Sequence, residues 1–230
     1  SSTCLIVDSC LIAGSSISAV YVSDDTLSGT PVRCLFQDEN AINSSGKGIV
    51  IRGGNAFADL GSGIAFSSIS GDYVAFEGNG STYPDFALDA QNCLFDGLPG
   101  ASMTDTQAFL LESKLSHKTD DARLGYVDYK PYHVYVPNPG SVQGGVIAAN
   151  ANDTVHVAPG SYSGSNVTVA SGKNSVVLLG NNHGVHAKST RSAETTLTGM
   201  MIQVNANEVA IDGFSFLNGG VSSGNSVGVY

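Results

Sequence analysis

Tryptophan is absent from this chain, and its 230 residues include only three Met and four Cys. Neither a metal-binding CxxC spacing nor a redox motif occurs among those cysteines. Charge is also scarce, at 13% of residues, and it is unbalanced: Lys and Arg number 10 against 20 Asp and Glu, a formal net charge of -10 and a pI near 4.6. That deficit of cations excludes a nucleic-acid partner, because phosphate binding needs a basic surface, and it disfavours an anionic membrane. No apolar run approaches the roughly 20 residues that a bilayer requires, so no membrane insertion is expected in this segment. There is neither an initiator Met nor a signal peptide ahead of the strand-like run CLIV, and the expectation is a section of something longer.

What is present is 28 Gly and 42% hydrophobic residues, with abundant Ser, Thr and Asn. This composition suits tight corners better than helices and supplies ample material for a core. From Asp153 to Phe216 the chain reads DTVHVAPGSYSGSNVTV, SVVLLG, TTLTGMMIQV and NEVAIDGFSF, short β-branched runs closed by Gly, Asn, Ser or Pro. Runs of that length and boundary predict strands. Val157, Leu179, Ile202 and Val227 recur about every 22 to 25 residues, the length of one solenoid turn.

The segment VQGGVIAANANDTVHVAPGSYSGSNVTV resembles the opening of a right-handed parallel β-helix of the pectin-lyase-like superfamily, where a short cap leads into DTV-x-V-x-PG-x-Y. NEVAIDGFSFLNG resembles the coil wording of its bacterial surface-protein and adhesin-type members. NCLFDG with SKLSHKTDDARLGYVDYKP is similar to their terminal segment, although NCLF stands where relatives often carry NWWG. The resemblance implies an all-β, right-handed parallel β-helix with a short helix-containing cap, and a place outside the cell or at its surface. Lyases, hydrolases, tailspikes and adhesins share that scaffold, so activity must be argued from a site.

Between residues 1 and 95 two columns of apolar residues stand out. Val20, Ile42, Ile64 and Phe86 recur about every 22 residues, and Ile12, Phe36, Phe57, Phe76 and Phe95 follow at looser intervals. Both are expected to be interior ladders, with coils about 4.8 Å apart. Cys10, Cys34 and Cys93 each stand two positions before a second-column residue. They read as stacked buried thiols, with a Cys10–Cys34 or a Cys4–Cys10 disulfide as the alternatives.

After Phe95 the pattern changes to one helix, capped by Thr104 or Asp105 and carrying Ala108, Phe109, Leu111, Glu112 and Leu115 at helical spacing. Pro131, Pro137, Pro139 and Gly140 mark a boundary, and residues 142–150 read as a second short cap. The expected organisation is the last coils of a β-helix over 1–97, a cap helix and junction over 98–140, and the cap and first coils of another β-helix over 141–230. Read tail to head, SVGVY runs into SSTCLIVDSCLIAGSSISAVYV as uninterrupted coil sequence. The expected partner is therefore the chain itself, end to end, through Ser1, Cys4, Val227, Val229 and Tyr230, in a covalent array or a head-to-tail filament. Extracellular or cell-surface polysaccharide is the second expected partner.

No catalytic or cofactor-binding residue is assigned from the sequence. Calcium is the one cofactor the acids would suit, since it takes six to eight oxygens. Asp24, Asp25, Asp38 and Glu39 are its candidate ligands, with Asp59 and Asp72 also available and Arg33 and Arg52 as bases for a lyase; solvated loop acids are the plainer reading. A hydrolase needs paired carboxylates, for which Asp89 and Asp96 are candidates beside a turn-stabilising role. His183 and His186 are the close histidine pair but sit in a Gly- and Asn-rich loop. His117, His133 and His156 read as ordinary surface or cap residues. Sequons at Asn43, Asn79, Asn152 and Asn166 read as coil-corner Asn. Tyr126, Tyr129, Tyr132 and Tyr135 read as cap packing. The function expected is a non-enzymatic structural or adhesive repeat, with a polysaccharide lyase, hydrolase or non-catalytic carbohydrate-binding module as the alternative.

Overall fold

The computed structural model describes residues 3–24 and 30–217. It is predominantly β, with parallel sheets and two α-helices. The chain divides into two compact units, Ser1–Lys118 with Arg123–Pro131, and Thr119–Ala122 with Tyr132–Tyr230.

In the first unit the strands come in threes. β1 (Thr3–Asp8), β2 (Leu11–Ala13) and β3 (Ser18–Ser23) are followed by β4 (Val32–Gln37), β5 (Asn40–Asn43) and β6 (Lys47–Arg52). Then come β7 (Ala56–Asp59), β8 (Ile64–Ser67) and β9 (Val74–Glu77). Each strand pairs in parallel with the third one after it, giving the sheet orders β1-β4-β7, β2-β5-β8 and β3-β6-β9. β10 (Ala87–Asp89), β11 (Leu94–Phe95), β12 (Leu98–Pro99), β13 (Leu115–Ser116) and β14 (Tyr126–Asp128) complete the unit. β11 extends the second sheet and β13 the third, but β10 pairs with β14 and not with β7.

The ladders inside this unit are not the expected columns. Ile12, Ile42, Phe66 and Phe95 form one, and Val20, Ile49, Val74 and Leu115 another. The Phe66 and Phe95 rings stack at 5.4 Å and 7°. Val20, Ile42 and Ile64 instead lie on β3, β5 and β8, and Phe86 precedes β10, so the regular spacing of about 22 residues joins different sheets. Corner length is the physical reason. The β4–β5 corner is only Asp38 and Glu39, whereas a much longer segment connects β3 to β4, so a fixed step drifts from face to face. The corners stack tightly, too: at Gly61, with φ +58, a Cβ would lie 2.0 Å from the Phe36 carbonyl oxygen. Only glycine fits there.

α1 (Asp105–Glu112) starts where the local chemistry dictates. Thr104 caps it and Gln107 closes a capping box, while Ala108, Leu111 and Glu112 are buried.

The second unit has β15 (His133–Val136), α2 (Val142–Ala148), β16 (Thr154–Val157), β17 (Gly160–Ser163), β18 (Val167–Val169), β19 (Val177–Leu179), β20 (Thr195–Thr198), β21 (Ile202–Val204), β22 (Ala210–Asp212) and β23 (Phe214–Leu217). Its parallel orders are β15-β16-β19-β22, β17-β20-β23 and β18-β21. Val134, Val155, Leu178 and Ile211 form a ladder, as do Tyr162, Leu197 and Phe216. The expected column again mixes sheets, because Val157 and Leu179 belong to the first sheet and Ile202 to the third; Val227 lies outside the described residues. α2 is capped by Ser141 and packs close, since a Cβ on Gly145 would lie 2.4 Å from Val136 Cγ2. No helix among the described residues is long and apolar enough to cross a membrane.

Candidate functional site

The most unusual surface of the first unit is its first three strands. β1, β2 and β3 are each the outermost strand of their sheet among the described strands, so each presents a backbone edge. Ile42 and Ile49 are 0% exposed and their register partners Ile12 and Val20 are half-buried and buried; Leu5 is 56% exposed, while Leu11, which pairs with Ala41, and Ile17, which precedes β3, lie outside those inward columns at 72% and 82%. Leu5 pairs with buried Cys34, so it belongs to a core column that nothing covers on the outer side among the described residues. Such an edge presents unpaired N–H and C=O groups together with apolar surface, and it templates strand addition. Cys4 is exposed on β1; Ser1, Asp25, Val227, Val229 and Tyr230 lie outside the described residues. In the second unit β22 and β23 are likewise outermost among the described strands.

A second surface lies on the outward face of β4, β7 and β10. Ala56 and Ala58 point inward and are buried, which turns Phe57 outward, contrary to its expected interior place. Phe57 sits 5.3 Å from Phe86, and the Arg33 guanidinium lies 5.7 Å from the Phe57 ring centre. A groove of about 360 Å3 opens here, where the ladder between β7 and β10 is interrupted, with Asp59 and Asp89 on its walls. Both acids also serve turns: Asp59 accepts the Gly61 N–H and Asp89 the Gln91 N–H, at 2.9 and 3.0 Å. Aromatic faces beside carboxylates and a guanidinium can hold a polyol by stacking and hydrogen bonding.

The other acids and bases do not converge with these. Asp24 is buried at the end of β3, where its carboxylate accepts the Asn55 N–H at 2.9 Å and the Asn79 amide at 3.4 Å. Asp38 and Glu39 make the exposed β4–β5 corner, with φ of 21 and 23. Asp72 and Glu77 both face Lys47, and Arg52 donates to the Tyr21 hydroxyl at 3.3 Å. Asp96 accepts from Tyr73 and Ser68, apart from Asp89. His183 Nδ1 donates to the Gly180 carbonyl and His186 Nδ1 accepts the Lys188 N–H. Among the described residues no three of His, Cys, Asp and Glu gather closely enough to hold a metal ion.

Two polar constellations escaped the sequence reading. His117, expected near the surface, is fully buried: its Nδ1 accepts the Val127 N–H at 3.1 Å, which leaves Nε2 to donate to Glu112 at 2.7 Å. Tyr129 donates to the other Glu112 oxygen at 2.8 Å. In the second unit His133 Nδ1 and His156 Nε2 lie 2.9 Å apart, and Tyr135 stacks on His156 at 4.6 Å. Tyr126, Tyr129 and Tyr135 are buried as expected of packing, whereas Tyr132 is exposed. Asn40 is the third omission. It is buried and its amide accepts the Cys10 N–H at 3.0 Å, for which the only available signal was an Asn inside an alternating apolar run.

The four thiols are free. Cys34 and Cys93 are buried, and burial pushes each up to about 11; Cys4 and Cys10 are exposed, so the expected stack of three does not form. Cys10 sits in the β1–β2 corner, Cys34 on β4 and Cys93 just before β11, on different sheets.

Compared with known proteins, the chain matches no family model, and no curated protein or solved structure is similar to it.

Proposed function

We propose that both units are right-handed parallel β-helices of the pectin-lyase-like type, and that the chain is a non-enzymatic structural or adhesive element outside the cell. It joins end to end with further coils of its own kind. The observation that carries this reading is the set of three open edges, β1, β2 and β3, with Leu5 of an inward column uncovered. A coil added in parallel would satisfy the three edges and bury Leu5, and a surface that differs from its mate gives a head-to-tail filament. At roughly 25 cal/mol per Å2 of apolar area, covering Leu5 adds about 1 kcal/mol to the ladder hydrogen bonds before association costs. No catalytic residue and no cofactor enters this reading. Sedimentation velocity over a concentration series tests it. The chain should assemble into species beyond the monomer, and Leu5→Lys, which places a charge in the exposed inward column of β1, should sediment as monomer. A parent chain that stays monomeric at about 100 µM, a concentration at which an interface of about −6 kcal/mol is detectable, removes the reading.

A second reading has its own observation. The Phe57 and Phe86 rings beside Arg33, Asp59 and Asp89 favour non-catalytic polysaccharide binding along the outer groove. Affinity electrophoresis through neutral and acidic polysaccharides should show retardation that Phe57→Ala abolishes; equal mobility in every gel removes this reading.

A further inference from the structure

Three connections in the second unit join the sheet β15-β16-β19-β22 to the sheet β17-β20-β23, and one of them is unlike the others. β16 reaches β17 through Ala158 and Pro159, and β22 reaches β23 through Gly213, but β19 reaches β20 only through residues 180–194. The stem of that long loop is closed by its own side chains. Asn182 is buried; its amide oxygen accepts the Ser192 N–H at 3.0 Å and its nitrogen donates to the Ala193 carbonyl at 3.2 Å. Arg191 grips Glu194 with two N–H groups at 2.6 and 2.9 Å, and the Gly184 N–H donates to Asp212 on β22 at 2.7 Å. The tip is built differently. Residues 183–190 are all exposed and none belongs to a strand or helix. The Val185 and Ser189 N–H groups close only local turns, onto the Asn182 and His186 carbonyls.

The tip carries one cation, Lys188, whose ammonium makes no ion pair or hydrogen bond among the described residues. The other cations of the chain are placed otherwise. Arg33, Lys47 and Arg52 lie in β4 and β6, strands paired on both sides. Lys114, Lys118 and Lys173 donate to the Ile69 carbonyl, Asp85 and the Ile147 carbonyl at 2.6, 2.6 and 2.9 Å. Lys130 pairs with Asp105, Arg123 lies 4.5 Å from the centre of the Tyr83 ring, and Arg191 belongs to the stem. Residues 183–190 also contain neither Asp nor Glu, in a chain whose formal net charge is -10.

We propose that this tip is a processing site: an endopeptidase of basic, trypsin-like specificity hydrolyses the Lys188–Ser189 bond, and the nicked chain keeps its fold. Water is the only co-reactant. It adds across the peptide bond and leaves a carboxylate on Lys188 and an ammonium on Ser189. Such an enzyme takes an accessible segment that can be drawn out straight, which an exposed loop tip supplies and a paired strand does not. Its anionic specificity pocket accepts Lys188, and the tip presents no carboxylate to repel it. Opening the tip breaks only its local turns, so cleavage requires no unfolding of the sheets. After the cut the segment that follows stays bound through three ladders, β20 on β17, β21 on β18 and β22 on β19. This inference is independent of end-to-end assembly and of polysaccharide binding.

Limited digestion of the full chain with trypsin tests it. Intact-mass spectrometry should show residues 1–188 and 189–230 as the first products, formed at least about tenfold faster than products of any cut at Arg191 or within a strand. The two fragments should run together on a native gel and separate only under denaturing conditions, with an unchanged circular dichroism spectrum. Lys188→Gln, at an exposed position, should slow the first cleavage at least about tenfold, whereas Lys188→Arg should be cut within about twofold of the parent rate. A first cut outside residues 183–190, an unchanged digestion rate in Lys188→Gln, or fragments that separate on the native gel would overturn the proposal.

Discussion

His117 donates through Nε2 to Glu112 at 2.7 Å, and neither side chain is exposed to solvent. The pair ties α1 to the segment that follows it, and Tyr129 adds a third group to the same carboxylate. A carboxylate sealed from water depends on every donor it has. His117→Ala should therefore cost about 3 kcal/mol in urea denaturation, and Glu112→Gln, whose one carbonyl oxygen can accept from Tyr129 or His117 but not both, about 2 kcal/mol. Equal, small losses from both would mean that water fills the site.

Asn40 should be the most sensitive polar position among the first six strands. Its amide accepts from Cys10 and donates to the carbonyls of Val7, Asp38 and Gln37, so it ties one round of strands to the next. Asn40→Ala leaves the Val7 carbonyl and the part-buried Cys10 N–H without this partner, and a loss of about 2 kcal/mol by urea denaturation is expected. Asn43→Ala, at an exposed position three residues on, should change stability by no more than about 0.5 kcal/mol.

The thiols give a prediction in pH. Cys34 and Cys93 hold their protons up to about 11 in the folded chain, while unfolded thiols release theirs near the ordinary value of 9.0. Their contribution to stability is thus complete below about pH 9 and is lost as pH rises toward 11. Urea midpoints measured from pH 8 to 11 should fall across that window, and should fall less in a Cys34→Ala/Cys93→Ala variant. At pH 8 iodoacetamide should label Cys4 and Cys10 quickly and the other two only after unfolding.

Legibility in the sequence followed the range of each interaction. α1 was readable, with Thr104 or Asp105 as its cap, because the capping box is closed within four residues, and the short cap over 142–150 is equally local. Strands were readable from β-branched runs between Gly and Asn. Register was not. All three sheets of the first unit carry inward apolar residues, and connections as different in length as Asp38–Glu39 and residues 24–31 shift the step from strand to strand. Phe57 misled for a related reason, since the inward residues of β7 are the small Ala56 and Ala58 and the large ring faces out. Glu112, His117 and Tyr129 meet only through the fold, so no spacing announces them.

End-to-end addition at β1, β2 and β3 is tested most directly by residue-resolved amide exchange at low and high chain concentration. On this account the outward-facing amides of the three edge strands exchange fast when dilute. They gain protection of about 100-fold or more as concentration rises, while β5 and β8, already paired on both sides, do not change. Edge amides that stay fast at every concentration, with no species larger than the monomer, would contradict it.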